Sequence, residues 1–204
     1  MFDSNSAGVF RGQRIDPVSP EDRVGILHVV SGSFNPLHDA HRWMYESIDE
    51  EGVIGRKYAK DSYAIAATTS AKYFEISTSR VGKEDLKPEE LMTRLRQFSG
   101  YAPVLVTEQS LFVHKYEVLK SIGERIVFHL GLDTFDRLLK AQGHSEVSRY
   151  GCMFCVWSRG GRWLPKGAPA NCYSSDLEPP SHLADLSSTR IRAGELSPSG
   201  KRIT

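Results

Sequence analysis

The sequence predicts an α/β protein, a doubly wound parallel sheet with helices on both faces, formed as one domain over residues 23–204. Three observations predict it. Apolar runs of strand length alternate along the chain with segments of helical period, the pattern of βαβ units. The first run, Val24-Gly-Ile-Leu-His-Val-Val30, passes directly into a glycine-containing turn and then a helix. At 204 residues and 40% hydrophobic content, the chain is long enough for one such domain with a full core.

Residues 1–22 are polar, carry Pro17 and Pro20, and are expected as an N-terminal extension, a tail or a surface-packed segment. A strand spans about Arg23 to Val30, then comes the turn, then a helix from about Asp39 to Glu51. The stretch Gly52 to Ser70 stays open, because Tyr63-Ala-Ile-Ala-Ala-Thr-Thr69 fits a helix extension and a strand start equally. Tyr73 to Thr78 reads as a strand. Pro88 to Phe98 reads as a helix with proline in the first turn, where the N–H has no intrahelical partner anyway. Val104 to Thr107 is a short strand, Phe112 to Ile122 a helix, and Arg125 to Leu130 a strand ending at Gly131-Leu-Asp133 before a helix to about Lys140. Gly151 to Trp157 is the next strand. Ser158 to Leu183, rich in Gly, Pro and Ser, is expected as a loop covering part of the site or as surface irregularity. In sheets of this Rossmann-like kind, ligands bind beyond the carboxyl ends of strands, and Gly32, Gly131 and Arg159 all follow strands.

Charge narrows the partners. With 26 basic and 25 acidic residues and a formal charge of +1, there is no global electrostatic case for nucleic acid or a membrane surface. No apolar stretch reaches the roughly 18 residues of a membrane span, and the polar start is unlike a signal peptide, so cytoplasmic residence is expected. Cys152, Cys155 and Cys172 make no disulfide framework. Cys152-Met-Phe-Cys155 has metal-knuckle spacing but no second pair, and it lies in an apolar run, so these thiols read as structural.

The most informative stretch is Ser31-Gly-Ser-Phe-Asn-Pro-Leu-His-Asp-Ala-His41. A strand entering a glycine turn exposes backbone N–H groups, the helix N-terminus adds partial positive charge, and His38 and His41 fall on one helical face. That arrangement suits the phosphates of a nucleotide. The His-x-x-His spacing also suits a metal, but no third ligand stands at a sensible spacing, so no protein metal site is expected. A second phosphate element lies in Asp185-Leu-Ser-Ser-Thr-Arg-Ile-Arg192, with hydroxyls opening a short helix and Arg190 and Arg192 within one turn. The plain alternative is a capped surface helix. His28 and His129 lie within strands and read as structural.

Gly32-Ser-Phe-Asn-Pro-Leu-His-Asp-Ala-His41 resembles the Gly-x-Phe-x-Pro-x-His-x-Gly-His signature of the nucleotidyltransferase superfamily, with Ala40 where many members have glycine. That superfamily includes nicotinamide and nicotinate mononucleotide adenylyltransferases, phosphopantetheine adenylyltransferase and glycerol-phosphate cytidylyltransferase. Leu186-Ser-Ser-Thr-Arg-Ile-Arg192 is similar to the Ile-Ser-Ser-Thr-x-x-Arg motif that ends its catalytic domain. Gly131-Leu-Asp133 matches a Gly-x-Asp after the fourth strand, whose carboxylate approaches the nucleotide ribose; a helix N-cap role for Asp133 fits equally. Phe74 to Lys83 resembles a Phe-Glu-Ile-Ser…Asn-x-Asp-Lys pattern of a less-characterised branch, with Arg80 and Gly82 in place of Asn and Asp.

The resemblance implies in-line attack by a substrate phosphate on the α-phosphorus of a nucleoside triphosphate, expelling pyrophosphate. A phosphate monoester is ionised near neutral pH, which leaves positioning and charge neutralisation as the protein's task. On that logic Gly32 admits the phosphates to the backbone, Ser33 and Phe34 offer main-chain donors beside Asn35, and His38 and His41 contact the reacting phosphates. Gly131 and Asp133 hold the nucleotide, while Ser188, Thr189 and Arg192 grip the leaving phosphates. Lys83 and Arg159 are candidates for the incoming phosphate. Trp157 suits stacking on a nicotinamide-like ring or a place in the core. Mg2+ would arrive on the phosphates, with few or no direct protein ligands. The expected partners are small-molecule nucleotides; a homo-oligomer is compatible with the sequence. The Gly-Ser-Phe-Asn-Pro wording favours ATP and a pyridine mononucleotide. The alternatives are a cytidylyltransferase using CTP and a phosphorylated small molecule, or a catalytically silent nucleotide-binding sensor.

Overall fold

The structure is a computed structural model that describes residues 7–50, 69–82, 84–158 and 161–203. The strands are β1 Gly8–Phe10, β2 Ile15–Pro17, β3 Val24–Ser31, β4 Ser70–Ser77, β5 Val104–Thr107, β6 Gly123–Gly131, β7 Met153–Trp157 and β8 Cys172–Ser174. The helices are α1 Asp39–Glu50, α2 Pro88–Arg96, α3 Phe112–Leu119, α4 Leu132–Gln142, α5 His144–Val147 and α6 Ser188–Arg192. Local chemistry accounts for their ends. Proline stands in the first turn of α2, with Glu89 and Glu90 beside it and Arg94 and Arg96 in the last turn, matching the helix dipole. Gly143 ends α4 at φ 80°, a conformation that favours glycine.

One sheet runs in the order β2-β1-β5-β4-β3-β6-β7-β8. β3, β4, β5, β6, β7 and β8 pair in parallel, whereas β1 lies antiparallel to β5 and β2. Side chains alternate between two cores. Ile26 and Val30 of β3 join Phe74, Ile76, Val104 and Val106 under α1 and α2. Leu27 and Val29 join Leu105, Phe128 and Phe154 under α3 and α4. The chain leaves β3 toward β4 with one helix layer and leaves β5 toward β6 with the other. The reversal falls between β3 and β6, whose carboxyl ends, Ser31 and Gly131, open the crevice where such sheets bind ligands.

Two segments differ from the sequence reading. Residues within the expected extension form β1 and β2, with Val9 and Phe10 buried at the sheet edge. The expected loop after Trp157 contains β8, which extends the sheet in parallel beside β7. Strands of three residues are too short to show a period of two. The open run 63–68, Lys83 and Arg159 lie outside the described residues. No helix among the described residues is long and apolar enough to cross a membrane.

Candidate active site

The turn after β3 is fixed from below and from outside. Gly32 N–H donates to Glu75 O at 3.1 Å, continuing the β3–β4 ladder. Phe34 takes a left-handed φ of 42° and turns its ring into the core, edge-on to Phe74 at 5.1 Å and Phe98 at 5.4 Å. A Cβ on Gly32 would stand 2.8 Å from Phe34 Cζ, so glycine is needed here to seat the aromatic ring. The sequence reading gave Gly32 to phosphate approach alone; the ring is the constraint the structure adds.

Four successive carbonyls are then held by side chains: Ser33 O by Arg94, Phe34 O by Gln97, Asn35 O by Arg192 and Pro36 O by Ser188. The Asn35–Pro36 peptide is cis. With those carbonyls tied to α2 and α6, no described residue accepts from the N–H groups of Ser33, Phe34 or Asn35, which are the donors an anion requires.

His38 and His41 follow as a stacked pair, ring centroids 3.6 Å apart and planes 19° from parallel. His38 is buried, His41 half-buried with its ring against the edge of Phe34 at 4.9 Å.

The C-terminal element docks beside them. Leu183, Leu186 and Leu196 form a small apolar cluster against Ala40 and Trp43 of α1, and Asp39 N–H donates to Pro198 O at 3.1 Å. Ser187 caps α6 by accepting from Arg190 N–H at 3.3 Å. Ser188 Oγ donates to Pro36 O at 2.9 Å, across 152 positions of sequence, and Arg192 donates to Asn35 O and to Thr189 Oγ1. Arg190 turns away to Glu195 at 2.8 Å. The two segments expected to hold phosphate therefore meet.

They line one cleft of about 950 Å³. Gly32, Ser33, His38 and His41 border it from the turn, and Ser188, Thr189 and Arg192 from α6. Gly131, Asp133 and Trp157 border it from the strands and helix beyond β6. Phe34 lies beneath the turn, and Asn35 is exposed with its carbonyl on Arg192, so neither side chain lines the cleft. Asp133 stands in the first turn of α4, whose cap is Gly131, and pairs with Arg162 at 3.7 Å. The N-cap alternative for Asp133 is thereby set aside.

No family model matches the chain, and no curated protein matches its sequence. Among solved structures, the nicotinic acid mononucleotide adenylyltransferase of Plasmodium falciparum complexed with NaAD superposes with a TM-score of 0.51, at 15% identity and over 86% of each chain. A second structure under that name, complexed with APC, gives 0.49 at 15% identity and 86% of each chain. The chain shares the overall fold of the first of these two structures.

Within this cleft, sequence reasoning missed several groups. Arg80, Arg94, Lys115 and Arg137 line it together with Arg192, against the single carboxylate of Asp133 among the described lining residues. Lys115 is buried on Glu75; Glu75 falls within the Phe-Glu-Ile-Ser resemblance, but nothing local in sequence marks Lys115 or their pairing. Trp157 is buried, edge-on to Trp43 at 5.2 Å, and its Nε1–H donates to His129 Nδ1 at 3.1 Å. In this state the indole belongs to the core. Because indole only donates, His129 carries its proton on Nε2 and passes it toward His28 Nδ1 at 2.9 Å. The three cysteines are free, and burial pushes each thiol up to about 12, so none is a thiolate near neutral pH.

Proposed function

We propose that this chain transfers AMP from ATP to the phosphate of a pyridine mononucleotide, nicotinamide or nicotinate, releasing pyrophosphate. The observation that carries the reading is the meeting of the turn and α6, through Ser188 on Pro36 and Arg192 on Asn35, around the cleft that His38 and His41 border. The likeness to a fold named for nicotinic acid mononucleotide adenylyltransferase supports the same direction.

An oxygen of the acceptor phosphate forms a bond to the α-phosphorus while the bridge to the β-phosphate breaks. The bonding pair leaves with pyrophosphate. The nucleophile is already ionised, so no protein base is needed, and catalysis rests on position and charge. The N–H groups of Ser33, Phe34 and Asn35 and the two imidazoles contact the reacting phosphates, whose added charge they stabilise most in the transition state. Ser188, Thr189 and Arg192 hold the leaving phosphates. Asp133 accepts from the ribose. The cleft's charge fits magnesium brought by the triphosphate: among the described residues Asp133 is the one carboxylate that lines it, so the phosphates would supply most of the oxygens. Bound there, the ion would neutralise charge on the leaving group.

The reading is tested by pyrophosphate release from ATP and from CTP, each with nicotinamide mononucleotide, nicotinate mononucleotide and phosphopantetheine. Release from ATP with a pyridine mononucleotide is expected. Turnover with CTP alone would move the assignment to cytidylyl transfer. ATP binding without release for any acceptor would leave a nucleotide sensor.

A further inference from the structure

On the sheet face opposite α1, Lys115 of α3 borders the cleft, its side chain 8% exposed and its Nζ 2.7 Å from Glu75 Oε2. Glu75 is fully buried. Its Oε2 also accepts from Ser31 Oγ and its Oε1 from Thr107 Oγ1, both at 2.6 Å. Ser31, Glu75 and Thr107 belong to the adjacent strands β3, β4 and β5, so the carboxylate is anchored to the sheet on both oxygens.

A buried ion pair of this sort adds little to stability compared with well-packed apolar side chains. What it does here is hold an ammonium group at the wall of an anion-binding cleft. Among the described residues Nζ donates a hydrogen bond to Glu75 alone and lies 5.2 Å from the centroid of the Phe112 ring, and an ammonium has three N–H donors, so it keeps hydrogen-bonding capacity for a ligand. Arg80 and Arg137 border the same cleft. Their guanidinium groups are braced on their own backbones, at 2.6 Å to Glu84 O and 3.2 Å to Asp133 O.

The electrostatics of transfer require such a group. Two anions, the triphosphate and the acceptor phosphate, must come into contact, and their repulsion is strong where water is scarce. The histidines at the reacting centre, and Ser188, Thr189 and Arg192 on the leaving phosphates, all come from the α1 side. We propose that Lys115, positioned by Glu75, is the subsite for the acceptor's phosphate, an inference that rests on the transferase reading above.

The test uses the full chain as wild type, Lys115→Met, Lys115→Arg, Glu75→Gln and the double variant Glu75→Gln/Lys115→Met. The double variant is included because Lys115→Met alone strands a buried carboxylate. Inorganic phosphate is titrated calorimetrically with a non-hydrolysable ATP analogue and magnesium present, and KM is measured separately for ATP and for the acceptor found by the pyrophosphate assay. Phosphate affinity and acceptor KM should worsen about 10-fold or more in Lys115→Met and in the double variant, with the ATP KM within about twofold of wild type. Lys115→Arg should recover part of the loss, and Glu75→Gln, which keeps the ammonium, should lose less than Lys115→Met. Unchanged phosphate affinity and acceptor KM in the folded double variant would overturn the subsite. So would equal losses toward ATP and acceptor, the result of a purely structural pair. A wild type that releases no pyrophosphate with any acceptor removes the transferase reading, while the phosphate titration still decides the subsite.

Discussion

Phe34 is fixed between Phe74 and Phe98, and an added methyl on Gly32 would press on its ring at 2.8 and 2.9 Å. An aromatic ring clamped on both sides gives way only by moving the turn. Gly32→Ala is therefore expected to cost roughly 1–3 kcal/mol, the range for overpacking, and Gly32→Ala with Phe34→Leu to recover part of it. Urea midpoints of the two variants check this; equal stability of Gly32→Ala and wild type would show that the ring has room. His41 has a different role. It is half-buried, it stacks on His38, and its removal takes away an imidazole from the cleft without opening a large cavity. His41→Ala should lower turnover by about 10² or more with its melting curve nearly unchanged. Arg192 is exposed and bonds to Asn35 O, so Arg192→Ala should chiefly raise the KM for ATP. Normal ATP affinity in that variant would refute the clamp.

At the scale of elements, α6 depends on a small apolar cluster of its own. Leu183, Leu186 and Leu196 pack on Ala40 and Trp43, and Trp43 links this cluster to the core under α1 and α2. The small residue at 40 leaves room for that docking, whether it is the alanine here or the glycine of the resembling signature. Leu186→Ala should loosen residues 185–193 while leaving the sheet intact. Hydrogen exchange should rise in that segment and not in β3 or β6, and the KM for ATP should rise with it. Uniform loss of protection would mean that the cluster supports the whole fold. The turn after β3 and the segment of α6 were both legible in sequence because each is continuous: a strand, turn and helix in one, hydroxyls and an arginine within one turn in the other. The pair of Glu75 and Lys115 was not legible. Glu75 fell within a recognised strand and pattern, but its partner lies 40 positions away, and their pairing appears only when the sheet and α3 bring them together. Trp157 was legible as a large aromatic at a strand end, but its partner His129 sits on the neighbouring strand, a register that sequence does not carry.

At the scale of the molecule, the central strands β3, β6 and β7 were legible because apolar runs buried on both faces need no period to stand out. The outer strands β1, β2 and β8 were not, since three residues carry no pattern and their pairing comes from the tertiary structure. The central strands also hold a titratable group whose effect is global. Burial, and secondarily the neighbouring His28, hold the His129 pKa well below its usual 6.5. The hydrogen bond from Trp157 to Nδ1 requires the neutral ring. Acidification below about 6.5 therefore protonates this histidine in the unfolded chain before the folded one, and each proton taken up by the unfolded state alone lowers stability. Stability should be level in this respect above that pH and fall below it by up to about 1.4 kcal/mol per pH unit, until the folded pKa is reached. His129→Gln removes the titrating ring, so its stability between about pH 5 and pH 6.5 should fall less steeply than that of wild type, by close to one proton. Urea unfolding across that range measures both slopes. Parallel slopes would mean that His129 takes its proton in the folded protein as readily as in the unfolded chain.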